Sequence, residues 1–300
     1  MTIDDIIKRF KTLDLSKYPR DEILGLLKQT GKIGYILVTF HKGKSLMRSR
    51  PNKFGEKFEQ KSDYSYKPQK LNLTYQRAST PNNTMFYATS IPDKIEKGEL
   101  DNARVIGVFE TVPMLRELDS SGYQKISFGR WVVKRDINLI AIIHEETYYN
   151  ENNYTRELVN AYHDFMKSAP PEIIDKSLKF QSYLASEFSK ENIKKDCDYM
   201  ISALFTQMVV DMGFDGVIYP SVRVGGKGFN VAITPEATKN LDLYVAGECS
   251  VYKLKEHTVV GNDSIIELDG KTEKFNLIEL PDDRSECLKQ LGVSTIDELI

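Results

Sequence analysis

The sequence predicts an α+β fold, on three observations. Short apolar blocks with strand character fill the region after the first thirty residues and return after residue 215, long stretches of helical spacing occupy 151–212 between them, and glycines and prolines mark the changes. Strands, then helices, then strands argue against a doubly wound parallel sheet, in which the two types alternate.

Taken in order, Ile3, Ile6, Ile7, Phe10 and Leu13 recur at helical spacing. A second amphipathic stretch runs from Asp21 through Ile23, Leu24, Leu26 and Leu27 to a glycine stop at Gly31. These two helices form an N-terminal helical extension, 1–31. Ile33 to Phe40, Leu46 to Arg48, Met85 to Ala88 and Val105 to Phe109 read as strands, as do Trp131 to Val133 and Leu139 to Ile143. The polar segment Lys53 to Leu73 reads as a long loop.

Helices are expected over Glu151 to Lys167, over Pro170 to Ser189 after a Pro-Pro break, and over Asp196 to Met212, closed by Gly213. Strands return at Val217 to Tyr219, Val231 to Thr234 and Leu241 to Lys253. A short helix after Asp282 ends at Gly292, and a last turn lies near Thr295. The expected division is thus 1–31, a main domain over 32–256, and a C-terminal extension over 257–300 packed on it.

Composition narrows the function classes. Three hundred residues, 41% of them hydrophobic, can bury a substantial core. A formal charge of -2 and a pI near 6.2 give no global attraction for nucleic acid or an anionic membrane. Cys197, Cys249 and Cys287 are far apart and lack metal-site spacing, so they read as reduced thiols with neither a disulfide framework nor zinc. His41, His144, His163 and His257 show no i,i+4 pairing and read as structural or exposed. The first residues carry acid where a signal peptide carries base, and no apolar run approaches the ~20 residues of a membrane span, so a cytoplasmic protein is expected.

The chemistry-bearing residues fall in an ordered string. Met47-Arg48-Ser49-Arg50-Pro51 comes first, then Arg77 with Tyr87 ten residues on, then Val105-Ile106-Gly107-Val108-Phe109-Glu110, and last Asp215-Gly216-Val217-Ile218-Tyr219-Pro220-Ser221-Val222-Arg223. Read from Arg48 to Ile233, this string resembles the RES-domain family of bacterial toxins, named for its Arg, Glu and Ser. The resemblance implies a core like that of ADP-ribosylating toxins, NAD as substrate, no bound cofactor, and a cognate antitoxin or immunity protein as partner. It places the family's arginine and tyrosine on Arg77 and Tyr87, and its serine, in a Tyr-Pro-Ser-x-Arg turn, on Ser221 with Arg223 following.

The family's glutamate has alternatives. Compact members place it about one helical stretch after the tyrosine, where Glu96 and Glu99 stand among Lys94, Lys97 and Asp101. Glu110 closes an apolar run that can set a carboxylate at the end of a buried element, and is the expected catalytic group, given an insertion before it; Glu99 is the alternative.

Breaking the nicotinamide-ribose bond calls for a cation, an aromatic wall and a carboxylate. Arg77 and one of Arg48 or Arg50 can hold phosphate oxygens through bidentate contacts. Tyr87 can stack on the nicotinamide or aim its hydroxyl at the ribose. Glu110 is expected to stabilise the oxocarbenium-like carbon, and Ser221 to donate to phosphate or the carboxamide rather than act as a nucleophile, since no Gly-x-Ser-x-Gly elbow surrounds it. No Walker loop and no G-x-G-x-x-G opening a helix is present, so NAD would not be held as a Rossmann cofactor. The leading expectation is an NAD-consuming toxin or defence effector. The others are an ADP-ribosyltransferase acting on a protein or small-molecule acceptor, and a catalytically inactive nucleotide-binding or interaction module.

Overall fold

The computed structural model describes every residue except Phe54 and His144, so the expectation for His144 lies outside the described residues. Eight helices and ten strands are present among the described residues. The N-terminal helices are α1 (Ile3–Thr12) and α2 (Arg20–Gln29). Thr2 caps α1 in a reciprocal box with Asp5, which supplies two of the otherwise unpaired groups of its first turn. The strands β1 (Ile36–Phe40), β2 (Ser45–Pro51) and β3 (Phe86–Ser90) follow, then α3 (Ala103–Thr111), β4 (Ser121–Val133) and β5 (Ile137–Ala141). The helical stretch is α4 (Glu145–Tyr148), α5 (Asn153–Met166), α6 (Pro171–Phe188) and α7 (Met200–Asp211). The chain ends with β6 (Gly216–Pro220), β7 (Phe229–Ile233), β8 (Leu241–Leu254), β9 (His257–Glu267), β10 (Ile278–Glu279) and α8 (Arg284–Gln290).

One mixed sheet runs in the order β1-β5-β6-β7-β3-β2-β4-β8-β9-β10. Among the described residues only β5 and β6 pair in parallel; the other ladders are antiparallel. This is the α+β class expected from the sequence. Strand period sorts the core into two layers. Leu139, Ala141, Ile218, Val231 and Ile233 face Leu158, Val159 and Tyr162 of α5. Ile140, Val217, Tyr219 and Ala232 face the other way, onto α6, α7 and the N-terminal pair, where Ile6, Phe10 and Ile23 are buried. Each such side chain contributes roughly 1.5–3 kcal/mol of burial, so α1 and α2 belong to this layer energetically as well as geometrically.

Three local readings need correction. Val105 to Phe109 is not a strand but the body of α3. A continuous apolar run carries no period, and here Asn102 decides the matter by accepting from the Arg104 N–H at 2.9 Å and opening a helix. Strand β4 begins ten residues before Trp131, at Ser121. Residues 257–267 form β9, which pairs along β8, so the boundary expected at 257 falls at the turn of a hairpin. None of the described helices is long and apolar enough to cross a membrane.

The joint between β2 and β3 positions the site. These strands share one register pair, Met47↔Thr89, whereas β2 pairs with β4 from Ser45 to Pro51 and β3 with β7 along its whole length. Beyond Met47 the two strands splay. Arg48 spans the gap with its side chain, Nη1 donating to Tyr87 O at 2.6 Å in place of a missing ladder bond.

Candidate active site

The splay opens into a cleft of about 410 Å3 lined by Met47–Pro51, Gln76, Arg77, Tyr87–Thr89, Gly107, Glu110, Thr111, Arg116, Tyr199, Tyr219, Arg223 and Asn230. Among the described residues that line it, Glu110 is the only acid and shares the cleft with Arg48, Arg50, Arg77, Arg116 and Arg223. Side chains separated by some 175 positions of sequence thus meet in one space (Arg48 to Arg223).

Helix α3 delivers the carboxylate. It lies on β2 at Gly107, where a Cβ would stand 2.3 Å from Ser49 Oγ, so only a glycine allows this approach. One turn further, Glu110 Oε1 accepts from Ser221 Oγ at 2.6 Å and from Asn230 Nδ2 at 2.7 Å. Both distances suit charge-assisted bonds, each contributing roughly 1.5–3 kcal/mol. Oε2 accepts no hydrogen bond among the described residues. Two donors therefore fix the carboxylate's orientation while leaving one oxygen available to the cleft.

The donors come from the β6–β7 hairpin. Tyr219 pairs with Asn230, and the Ser221 N–H donates to Gly228 O at 2.7 Å, which closes the connecting loop over Gly225 and Gly226, both with positive φ. Ser221 is fully buried and does not line the cleft. Expected to hold substrate, Ser221 instead directs its hydroxyl to Glu110 from beneath the cleft wall. Glu99, the alternative carboxylate, accepts from the Asn153 N–H at the start of α5, and Glu96 pairs with Arg156 at 3.0 Å. A backbone N–H of the helix's first turn thus holds Glu99, and the Arg156 side chain holds Glu96, outside the cleft.

The arginines differ in what they already hold. Arg77 donates through Nη1 to Phe188 O and through Nη2 to Lys190 O at 2.9 Å, where its charge also suits the C-terminus of α6. Its guanidinium lies 5.3 Å from the Tyr199 ring centre. Arg48 donates to Ser65 O at 2.9 Å besides Tyr87 O, and packs over Phe86. Burial, with the charge of Arg50 adding to it, lowers Arg48 to about 10, still a cation at neutral pH. Arg50 is paired with Glu56 at 2.6 Å. Arg116 donates to the Glu110 carbonyl at 3.1 Å. Arg223 is half-buried and makes no hydrogen bond or ion pair with the described residues, so its donors are all available to a ligand.

Tyr87 presents its ring rather than its hydroxyl. The hydroxyl accepts from the Ala78 N–H at 2.9 Å and lies 3.0 Å from Ser79 Oγ, tying the strand to the turn that carries Arg77. Burial raises its phenol to about 12, against the opposing hydrogen bonds, so it does not exchange a proton near neutrality. With Tyr199 and Tyr219 it gives the cleft three aromatic walls.

Sequence reasoning missed Asn230, Tyr199, Tyr219 and Arg116. Asn230 carried a signal: one amide inside the buried strand Phe229-Asn230-Val231-Ala232-Ile233 must find a partner. No cluster of three or more His, Cys, Asp or Glu able to hold a metal exists among the described residues. Compared with known proteins, the chain matches no protein-family model and no curated protein sequence.

Proposed function

We propose that this chain is a RES-type, NAD-consuming enzyme with an ADP-ribosyltransferase-like core, that it breaks the nicotinamide-ribose bond, and that it acts in the cytoplasm as a toxin or defence effector restrained by a cognate antitoxin. The observation that carries the reading is Glu110, a single carboxylate held at one oxygen by Ser221 and Asn230 in an otherwise cationic, tyrosine-walled cleft. The free oxygen suits the positive charge that develops at the anomeric carbon, or a hydrogen bond from the adjoining ribose hydroxyl. Arg223, which has no partner among the described residues, and the Arg48–Arg50 pair supply cations for the pyrophosphate. The tyrosine rings supply a surface for the departing base.

Nicotinamide release from NAD by the wild-type chain and by Glu110→Gln tests this. Turnover should fall by about 10²–10³-fold in the variant, the range for removing one preorganised electrostatic group. A wild-type rate no greater than that of the variant would refute the reading. Hydrolysis and transfer share the bond-breaking step, and adenine-labelled NAD separates them by whether label stays on a macromolecule or small-molecule acceptor.

A further inference from the structure

We propose that the ligand of this seam carries a third phosphate: it is a dinucleotide phosphorylated on the ribose remote from the bond that breaks, with that phosphate held in a second, larger cavity. The inference rests on reading the Glu110 cleft as the place where the nicotinamide-ribose bond breaks. The second cavity, of about 1330 Å3, shares Arg48, Arg50, Gln76 and Tyr87 with the first. Ligand pockets span roughly 300–1,000 Å3, so the smaller cleft suits one nucleoside better than a whole dinucleotide. With the nicotinamide riboside at Glu110, the pyrophosphate falls at the shared arginines. The remote nucleoside then enters the larger space, where Tyr66 and Trp131 stand among the walls.

Charge identifies what that half carries. Arg48, Lys53, Lys67, Arg77, Arg116 and Arg223 line the two cavities and have no carboxylate partner among the described residues. The acids on the same walls are Glu110, Asp63, whose oxygens accept from the Glu59 and Gln60 N–H groups, and Glu273, 3.9 Å from Lys61. In a chain of net charge -2 this cationic excess is local and not a background property. A pyridinium dinucleotide offsets part of its own pyrophosphate charge, whereas one further phosphate monoester adds roughly 1.5–2 negative charges. Lys53 and Lys67, exposed at the larger cavity and without an ion pair among the described residues, are the groups assigned to it.

Turnover of NAD and NADP measured side by side tests the assignment in three proteins: wild type, Lys53→Ala/Lys67→Ala, and Lys179→Ala. Lys179 lines neither cavity, being paired with Asp4 and Asp175, and controls for the loss of a lysine remote from both cavities. The expected kcat/KM is about tenfold or more in favour of NADP, with that ratio collapsing toward one in the double variant and persisting in Lys179→Ala. A wild-type ratio near one, or a ratio indifferent to the double variant, overturns the third-phosphate site while NAD turnover upholds the reading of the cleft. Calorimetry with ADP-ribose and 2′-phospho-ADP-ribose separates the opposite failure. If neither dinucleotide is cleaved but the phosphorylated ligand binds about tenfold tighter, the cleavage reading falls and the site stands; equal affinities overturn the site.

Discussion

Adding one methyl group where α3 crosses β2 should destabilise the protein, and removing one oxygen from the strand beneath should restore it. The Cβ introduced by Gly107→Ala would stand 2.3 Å from Ser49 Oγ and 3.1 Å from Ser49 Cβ. Ser49 is held in register with Phe128 along β4, so the strand cannot retreat, and its hydroxyl is buried without a hydrogen-bond partner. Overpacking costs typically ~1–3 kcal/mol, partly offset by the ~1 kcal/mol that alanine gains over glycine inside a helix. The expected net loss is therefore about 1–2 kcal/mol. Ser49→Ala alone should be neutral or stabilising by up to ~1 kcal/mol, since it deletes an unsatisfied polar atom. In the double variant the remaining 3.1 Å approach asks for a shift of only a few tenths of an ångström, so stability should return to about the wild-type value. Urea unfolding of the four proteins yields the coupling energy, expected at about 1 kcal/mol in favour of the double variant. Additivity within ~0.5 kcal/mol would refute the claim that Gly107 exists to seat the helix on Ser49.

Two further predictions concern the groups around Glu110 and Tyr87. Ser221→Ala and Asn230→Ala should each lower turnover by roughly 10–100-fold with a smaller change in KM, because each removes one charge-assisted donor from the carboxylate. Asn230→Asp should do worse than Asn230→Ala, since it sets a second carboxylate against the first; the reverse order in steady-state kinetics would count against the positioning role. For Tyr87, burial raises the folded phenol from the ordinary 10.0 to about 12, so its contribution to stability is complete below pH 10 and is lost as the pH climbs through 12. Urea midpoints measured from pH 9 to 12 should fall less steeply in Tyr87→Phe, and identical slopes would show that the ring is not buried as described.

The sequence made helices legible where a period and a stop coincide. Ile3, Ile6 and Phe10 recur along α1, Pro170-Pro171 opens α6, and Gly213 follows α7. It misled at α3 because Val105-Ile106-Gly107-Val108-Phe109 is apolar at every step, and β-branched residues there weigh toward a strand. Asn102, a residue type that caps helices, was the contrary sign. Strand β4 was half hidden because Ser121-Gly122-Tyr123-Gln124-Lys125 is polar; that part lies beside β8, where Lys125 pairs with Glu248 at 2.9 Å. In the candidate site, residue types and order brought Arg77, Tyr87, Glu110 and Ser221 to notice. Their division of labour was not legible, because it depends on partners far away in sequence: Phe188 for Arg77, Ala78 for Tyr87, and Asn230 for Glu110.

The single-pair joint between β2 and β3 has a topological corollary. It parts the sheet into one block of β1, β5, β6, β7 and β3 and another of β2, β4, β8, β9 and β10, yet the chain steps from block to block at β1→β2, β2→β3, β3→β4, β4→β5 and β7→β8. Neither block is a contiguous piece of polypeptide, so neither can be cut out and expressed alone, and a ligand that pries the joint apart pulls against covalent tethers on every crossing. The molecule is laced like a boot, its two halves tied by the chain itself on both sides of the line where they meet.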